Sequence, residues 1–581
     1  MKTLNLHVDY IKFKPLKKAL NKVEPLSEQE KKERLVKDAL VVLVAIEKTD
    51  APNEALISKF IDSIKDIAKQ LNVKRVVLYP YAHLSSNLSS PEIAMKILIN
   101  SEKELLKEGF EITRAPFGYY KEFELKVKGH PLSELSREIG IEEGEGKEKQ
   151  VGRKETSDLT EEQRKRLLKE ISKSKLDTSR LKENDHRILG QQMDLWSFND
   201  VAPGMVFWHN NGLIIVNELF KFWREMHRKA GYEEISTPLI MDKKLWQISG
   251  HWEKYKENIF LTNYEKREFA VKPMNCPGGM LVYKSRPKTY RDLPLRVGEL
   301  GLVHRQELSG VLAGLFRVIK IIQDDAHIFC ADRKQVEQET EELIDLIKIF
   351  YKTFNLEFDH VELSTRPEKR IGSDDLWDMA EDILEGVLKK KKTKYKLNKG
   401  EGAFYGPKID FHVKDSQGRT WQLSTIQLDF AMPERFDLNY IDKNNEKKRP
   451  IMLHRVIYGS IERFMGILLE STNGRLPIWL APIQVRILSF TDRNIKYTKK
   501  IIKKIKEALP EIRIDEDFAS STMSSKVKKA EIKRIPYIVT VGDKEEKTKK
   551  LAIRSKGDRK LKNLTADKFI EKISKEIKNR T

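Results

Sequence analysis

Apolar positions change their spacing several times along the chain, and each change marks a block. Ala39-Leu40-Val41-Val42-Leu43-Val44-Ala45-Ile46 and Val76-Val77-Leu78-Tyr79 are continuous apolar runs. They are short enough to be strands buried on both faces. Between them, residues 54–71 repeat their apolar side chains at helical intervals, which predicts an amphipathic helix. Met1 to Asp9 reads as a short strand and lacks the apolar segment of a signal peptide. Together these predict a small α/β domain over 1–140. The pattern lapses over 141–185, where Glu142 to Lys149 is charged and glycine-bearing and Ser157 to Lys182 has few apolar anchors. A linker and an exposed helix are expected there. Periodicity returns in a large block over 186–478. From 479 to 581, strands (Val485 to Phe490, Tyr537 to Val541) alternate with Lys-rich amphipathic helices such as residues 494–509.

Composition narrows the class. A chain of 581 residues, 39% of them hydrophobic, carries several domains with real cores. No apolar run approaches the roughly 18 residues of a membrane span, so no membrane association is expected. Two cysteines give no disulfide framework and point to a reducing, cytoplasmic setting. The net charge of +21 favours a polyanion, nucleic acid first. Solvated lysine-rich helix faces account for the charge equally well.

Candidate chemistry lies in the large block. Cys276, His327 and His454 offer one thiolate and two imidazoles, the donor set of a zinc site that keeps a fourth position open. They are far apart in sequence and match no zinc spacing, so the surrounding strings carry the argument. Leu302-Val303-His304-Arg305-Gln306-Glu307 reads as a strand delivering Arg305 to a loop, where a guanidinium suits a phosphate. Gly459-Ser460-Ile461-Glu462-Arg463-Phe464 places Arg463 where a helix follows a strand. Gly231 to Pro238 closes a helix and sets a proline after a strand.

Taken in chain order, Gly231 to Pro238, then Leu302 to Glu307, then Gly459 to Phe464, the three segments resemble motifs 1, 2 and 3 of class II aminoacyl-tRNA synthetases. Longer strings resemble the threonyl-tRNA synthetase family: Lys272-Pro273-Met274-Asn275-Cys276-Pro277-Gly278, Gln323-Asp324-Asp325-Ala326-His327-Ile328-Phe329, Ser364-Thr365-Arg366-Pro367-Glu368-Lys369-Arg370 and Gly400-Glu401-Gly402-Ala403-Phe404-Tyr405-Gly406-Pro407-Lys408. The resemblance implies an α/β and α+β multidomain protein with a class II antiparallel-sheet catalytic core. Its activity would be ATP-dependent formation of threonyl-adenylate and transfer of L-threonine to tRNA(Thr). Cys276, His327 and His454 would hold one Zn2+ per subunit, with Asp325 accepting from the threonine hydroxyl. A metal that needs an oxygen ligand excludes valine, which an apolar pocket rejects only about a hundredfold. Arg305 and Arg463 would meet the ATP phosphates, Glu307 the adenine amino group, and Arg317 and Gln323 the carboxylate and phosphate. Met274, Gln422, Thr425, Gln427 and Ser460 would line the same pocket, and His251, Tyr405 and Lys408 would lie near the tRNA acceptor end. Mg2+ would accompany ATP, and the first motif implies a homodimer. The chain departs from the family at Gly279, at Lys320-Ile321, where an adenine-stacking Phe is usual, and at Leu423-Ser424.

Serine also carries a hydroxyl and is smaller than threonine, so a second, hydrolytic sieve is expected. Tyr79 to Ser86, Ala115 to Lys121 and Lys128 to Leu135 resemble the archaeal threonyl-tRNA synthetase editing domain, similar in fold to D-aminoacyl-tRNA deacylases. That resemblance implies a pocket of Ala82, His83, Tyr120, Lys121 and Glu134, with Lys121 orienting water. Val127 stands where the family can carry cysteine, so no thiol takes part. The last block resembles an α/β anticodon-binding domain, in which Glu545 and Arg554 would read bases. The competing readings are a ligase for proline or serine, a non-catalytic RNA-binding paralogue, and an N-terminal block that binds without editing.

Overall fold

The computed structural model describes residues 1–139 and 181–581, apart from 21–24, 49, 51, 86, 131 and 556–559, with a few residues between 161 and 168. The expected linker and exposed helix lie almost wholly outside the described residues. The chain divides into two compact units, Met1–Ser157 and Asp158–Thr581.

The first unit is a six-stranded sheet in the order β4-β3-β2-β1-β5, with β6 also paired to β1. Its strands are β1 (Lys2–Lys18), β2 (Arg34–Ala45), β3 (Arg75–Pro80), β4 (Glu111–Arg114), β5 (Tyr119–Val127) and β6 (Glu134–Glu138). The two apolar runs are β2 and β3, parallel neighbours with Leu40 opposite Val76. Helices α1 (Glu54–Leu71) and α2 (Pro91–Lys107) cover one sheet face, where Phe60, Ile64 and Ile97 pack on Leu40, Val42, Val76 and Leu78. Val8, Ile11, Phe13, Val41, Val77 and Tyr79 form a second cluster on the other face. Both faces are covered, so alternation is lost and the runs read as continuous. The Asn53 side chain caps α1 by accepting from Leu56 N–H, and Asn72 ends it in the left-handed region at φ 54°.

The N-terminal strand corrects the sequence reading. It runs to Lys18 rather than stopping near Asp9, because burial alternates onward through Ile11, Phe13 and Pro15. Pro15, which has no N–H to donate, stands at a register shift against β5.

The second unit is built on an eight-stranded sheet, β11-β10-β12-β13-β14-β9-β8-β7. The strands are β7 (Glu233–Glu234), β8 (Leu295–His304), β9 (Lys320–Cys330), β10 (His360–Ser364), β11 (Lys396–Asn398), β12 (Lys408–Lys414), β13 (Thr420–Asp429) and β14 (Ile451–Ser460). From β10 through to β8 every pairing is antiparallel. One face carries Ile328, Ile409, Phe411, Ile426, Leu428 and Leu453 into the main core. Helices α3 (Asn210–Lys229), α5 (Arg333–Thr353) and α6 (Asp374–Lys390) supply its other half through residues such as Ile215, Ile347 and Leu384. Two further helices flank this sheet, α4 (Cys276–Lys284) and α7 (Ile461–Thr472).

The C-terminal block is a five-stranded sheet, β16-β15-β17-β18-β19, of β15 (Val485–Ser489), β16 (Ile514–Asp517), β17 (Tyr537–Val541), β18 (Lys550–Ser555) and β19 (Lys562–Thr565). The amphipathic helix expected over 494–509 is α8 (Ile495–Ala508), and it packs with α9 (Ala566–Asn579) on that sheet. No helix among the described residues is long and apolar enough to cross a membrane.

Candidate active site

Since one face of β10, β12, β13, β14 and β9 is core, period-two alternation presents the remaining residues on the other face. Cross-strand register aligns them: Ser364 faces Lys408, Lys408 faces Gln427 and Asp410 faces Thr425, Gln427 faces His454, and His454 faces His327. Residues assigned from separate strings therefore form one continuous polar face.

His327 and His454 are direct partners in register, with ring centroids 5.0 Å apart. Cys276 opens α4, and one ligand atom of each of the three residues lies within 4.8 Å of the others. All three are buried. His327 Nε2 is buried without a hydrogen-bond partner, and burial pushes the imidazole pKa down to about 4, which keeps it neutral. Nε2 of His454 is 2.7 Å from Asp429 Oδ2, whose other oxygen accepts from Ala431 and Met432 N–H. A carboxylate behind an imidazole fixes its tautomer and leaves the other nitrogen to bind a metal. An orphaned buried nitrogen, a thiol and a carboxylate-backed imidazole fit a zinc ion. Asp325 reaches this group from β9 and accepts from Asn275 Nδ2 at 3.1 Å. That contact depends on Gly301, where a Cβ would lie 2.2 Å from Asn275. The departure at Gly279 has a local counterpart, since a Cβ there would meet His327 Nδ1 at 3.3 Å.

Arg463 is the third residue of α7, whose first turn is capped by Ser460 Oγ accepting from Arg463 N–H. Its Nε donates to Phe316 O at 3.0 Å and its Nη1 to Gln422 O at 3.1 Å. No carboxylate among the described residues pairs with it. Burial lowers its pKa, and the Arg317 and Arg305 guanidiniums push the same way. Arg305 leaves the end of β8 and donates to Pro273 O at 3.1 Å. Arg305 and Arg463, neither paired with a carboxylate among the described residues, thus border one space, with the Arg317–Glu307 pair beside them, and a phosphate would supply the missing negative charge. Glu307 and Arg317 are paired with each other at 2.9 Å. Trp421 lies 5.4 Å from the Arg463 guanidinium, while Ile321 is only partly buried against the main core.

The remaining pocket residues join the same face. Gln422 and Thr425 both donate to Asp410 Oδ1, at 2.6 and 2.8 Å, and Lys408 pairs with its other oxygen. Gln323 stands opposite Ser460, and Gln427 Nε2 donates to Gly406 O at 3.4 Å. Met274 and the buried Tyr405 pack in the cluster around Cys276, with the Tyr405 ring 5.4 Å from His454. His251 is buried, with Nδ1 2.8 Å from Ser249 Oγ, and its pKa is pushed down to about 3 by burial, then by His454 and Arg305. Sequence reasoning missed Asp410, Trp421 and Asp429. Their sole signal is register, which no local string contains.

In the first unit, Lys121 on β5 donates from Nζ to Pro116 O at 2.9 Å and Tyr119 O at 3.1 Å, and lies 5.1 Å from the Tyr79 ring centroid. Burial lowers its pKa to about 8. Tyr79, Tyr81 and Phe123 form an aromatic group beside it, and His83, in a 3-10 turn over Ala82–Leu84, is 5.4 Å from the Tyr81 ring. Ala82, His83 and Tyr120 are exposed. Glu134 is not brought to this group within the chain. It faces Leu6 across β1, whereas Lys121 faces Pro15, about 30 Å away along an extended strand. In the last block, Glu545 Oε2 accepts from Gly542 N–H as a helix cap, and Arg554 lies 3.6 Å from Glu531.

Three family models match the chain. The Archaea-specific editing domain of threonyl-tRNA synthetase covers residues 1–139, the class II tRNA synthetase core domain (G, H, P, S and T) covers 255–472, and the anticodon binding domain covers 484–576. The threonine–tRNA ligase of Desulforamulus reducens is 50% identical over 400 residues, covering 69% of this chain and 62% of that protein. That of Caldanaerobacter subterraneus subsp. tengcongensis is 53% identical over 396 residues, covering 68% and 61%. The chain thus spans about three fifths of the length of these relatives. The crystal structure of the RNA binding domain of threonyl-tRNA synthetase from Cryptosporidium parvum Iowa II is 37% identical, with a TM-score of 0.63, covering 68% of this chain and 98% of that one.

Proposed function

This chain belongs to the threonyl-tRNA synthetase family, and on that premise we propose that it is a threonine–tRNA ligase that also edits. It activates L-threonine with ATP and Mg2+, transfers it to tRNA(Thr), and hydrolyses Ser-tRNA(Thr) in its N-terminal unit. One observation carries the reading: Arg305 and Arg463, neither paired with a carboxylate among the described residues, border the same sheet face as a buried Cys/His/His triad.

Arg463 and Arg305 hold the triphosphate, and Trp421 gives a flat neighbour to that end. Adenylate formation builds negative charge where these fixed donors already point, so no reorganisation is needed at the moment of reaction. Cys276, His327 and His454 hold zinc, with Asp429 orienting His454. The ion supplies Lewis-acid coordination that accepts a side-chain oxygen and refuses an isosteric hydrocarbon. Asp325 accepts from the substrate hydroxyl, Asn275 fixing its carboxylate. His251, held neutral, and Tyr405 border the place where the tRNA terminus enters. In the editing unit Lys121, held by carbonyls, presents its remaining N–H to a water, with Ala82, His83 and Tyr120 at the rim. Glu134, which faces Leu6 at the far end of β1, stays outside this pocket within one chain. Glu545 and Arg554 are proposed to meet the anticodon. The exposed edge strand β7 supports a homodimer formed there, and two free cysteines suit the cytoplasm.

The test is zinc content together with charging of tRNA(Thr) by threonine, serine and valine, on the wild type and Lys121→Ala. Expected are one zinc equivalent lost in Cys276→Ser, charging with threonine, rejection of valine, and Ser-tRNA accumulating only in Lys121→Ala. Threonine charging without a Lys121 effect removes the editing assignment. No charging at all leaves an RNA-binding paralogue.

A further inference from the structure

One group of metal-binding side chains lies outside the machinery described above. His360 and Glu362 on β10 and His412 on β12 stand on the polar sheet face, two strands and one strand outward from Thr425 and Gln422 on β13. His360 and His412 are partners in register, and their rings stack nearly parallel, 9° apart in plane with centroids at 4.5 Å. Both present Nε2 to one carboxylate. His360 Nε2 is 3.0 Å from Glu362 Oε1, and His412 Nε2 is 3.5 Å from Glu362 Oε2.

The hydrogen-bond inventory leaves this cluster incomplete. His360 Nδ1 is 2.6 Å from Asp359 Oδ2, and Asp359 is in turn held by Lys414 Nζ at 2.5 Å. With its Nδ1 proton on Asp359, His360 Nε2 can bond Glu362 only by holding a second proton or by sharing a metal ion with it, since a carboxylate has only lone pairs to offer. His412 Nε2 is buried without a hydrogen-bond partner. Asn398 Nδ2 donates to Glu362 Oε2 at 2.9 Å and holds the carboxylate in place. A proton or a metal ion between these groups completes them, and the unpartnered His412 Nε2 favours the ion. The buried Asp185, His186 and Glu470 group shows the opposite case. There His186 Nδ1 lies 2.7 Å from Glu470 and Nε2 accepts from Leu315 N–H at 3.0 Å, so both nitrogens are satisfied.

We propose that His360, Glu362 and His412 form a second site for a zinc-class divalent transition ion, separate from the Cys276 triad. Ligands about 2.0–2.2 Å from a tetrahedral ion lie roughly 3.3–3.6 Å from one another; the His412–Glu362 separation already falls in that range, the His360–Glu362 one is shorter, and the two stacked rings turn out of parallel to aim both lone pairs at one ion. Two imidazoles and one carboxylate favour zinc, nickel or cobalt over the all-oxygen preference of magnesium and calcium. Asp359 orients His360 as a partner behind the ligand. All three side chains are partly exposed, so water can supply a remaining ligand. The ion clips β10 to β12 beside the register shift at Phe411 and His412. Across that shift His412 faces Gln422, whose carbonyl accepts from Arg463. The site is a brace for the strand behind the arginine.

The experiment is dialysis of the full chain against Zn2+, then metal content per chain, for the wild type, Cys276→Ser, Glu362→Gln and His412→Asn, with circular dichroism confirming each fold. Glu362→Gln keeps the acceptor and the side-chain size while weakening the ligand. Two equivalents are expected in the wild type and one in each single variant, and zinc should raise the Tm of Cys276→Ser but not of Cys276→Ser/Glu362→Gln. A wild type with one equivalent that Cys276→Ser alone removes overturns the proposal and leaves a cluster bridged by a proton. A second equivalent that survives both Glu362→Gln and His412→Asn overturns it as well. One equivalent lost only in Glu362→Gln and His412→Asn upholds this site and removes zinc from the Cys276 triad.

Discussion

Lys121 in the first unit and Arg463 in the second are both cations held by carbonyl oxygens instead of carboxylates. They differ in company and in chemistry. Arg463 shares its space with Arg305 and Arg317, and a guanidinium keeps its charge at any working pH. Lys121 lies against a tyrosine ring, and burial brings its pKa to about 8. A permanent cation without a counter-ion waits for an anion. A titratable one can exchange a proton with water. One arrangement suits a polyphosphate, the other a hydrolytic pocket.

A fully buried cation, Lys272, sharpens the contrast, because it has a carboxylate. Lys272 Nζ lies 2.8 Å from both Glu299 Oε1 and Thr237 Oγ1. Its role is structural, so Lys272→Met should cost about 3 kcal/mol or more by stranding a buried carboxylate, read as a drop in denaturant midpoint. An unchanged midpoint would place Lys272 with the functional cations. Arg463→Ala should slow threonine-dependent pyrophosphate exchange by about 10²–10³-fold with little loss of stability, and Arg463→Lys should not restore it. A large stability loss would instead make Arg463 a packing residue. Lys121→Met should slow deacylation of Ser-tRNA(Thr) by about a hundredfold and leave pyrophosphate exchange unchanged. Wild-type deacylation should fall as pH rises past about 8, where the Lys121 ammonium is lost. A flat profile across that range would break the comparison.

The smallest effect is on stability. The folded pKa of Lys121 lies below the ordinary 10.5, so between about 8 and 10.5 the unfolded chain binds more protons. Stability of the first unit should therefore rise with pH across that window, and Lys121→Met should abolish the rise.

Legibility in the sequence followed locality. The helix read over residues 54–71 is α1 with the same ends, because helical spacing and the Asn caps are local signals. The strand Tyr537–Val541 is likewise found as read. The first strand was read short because Pro15 and its lysines interrupt the apolar pattern, while β2 and β5 on either side hold the segment extended. Glu134 was grouped with Lys121 from neighbouring strings, yet β1 holds them far apart.

The chain's own strings supply a thiol, two imidazoles and two arginines in long synthetase-like segments, and their residue types fix the available chemistry. Only the tertiary structure decided how they meet. Antiparallel register set His454 against His327, brought Asp429 behind it, joined Gln422 and Thr425 through Asp410, and stacked His360 on His412. Register follows from burying one face of every strand at once. That is a property of the assembled sheet, and no single segment carries it.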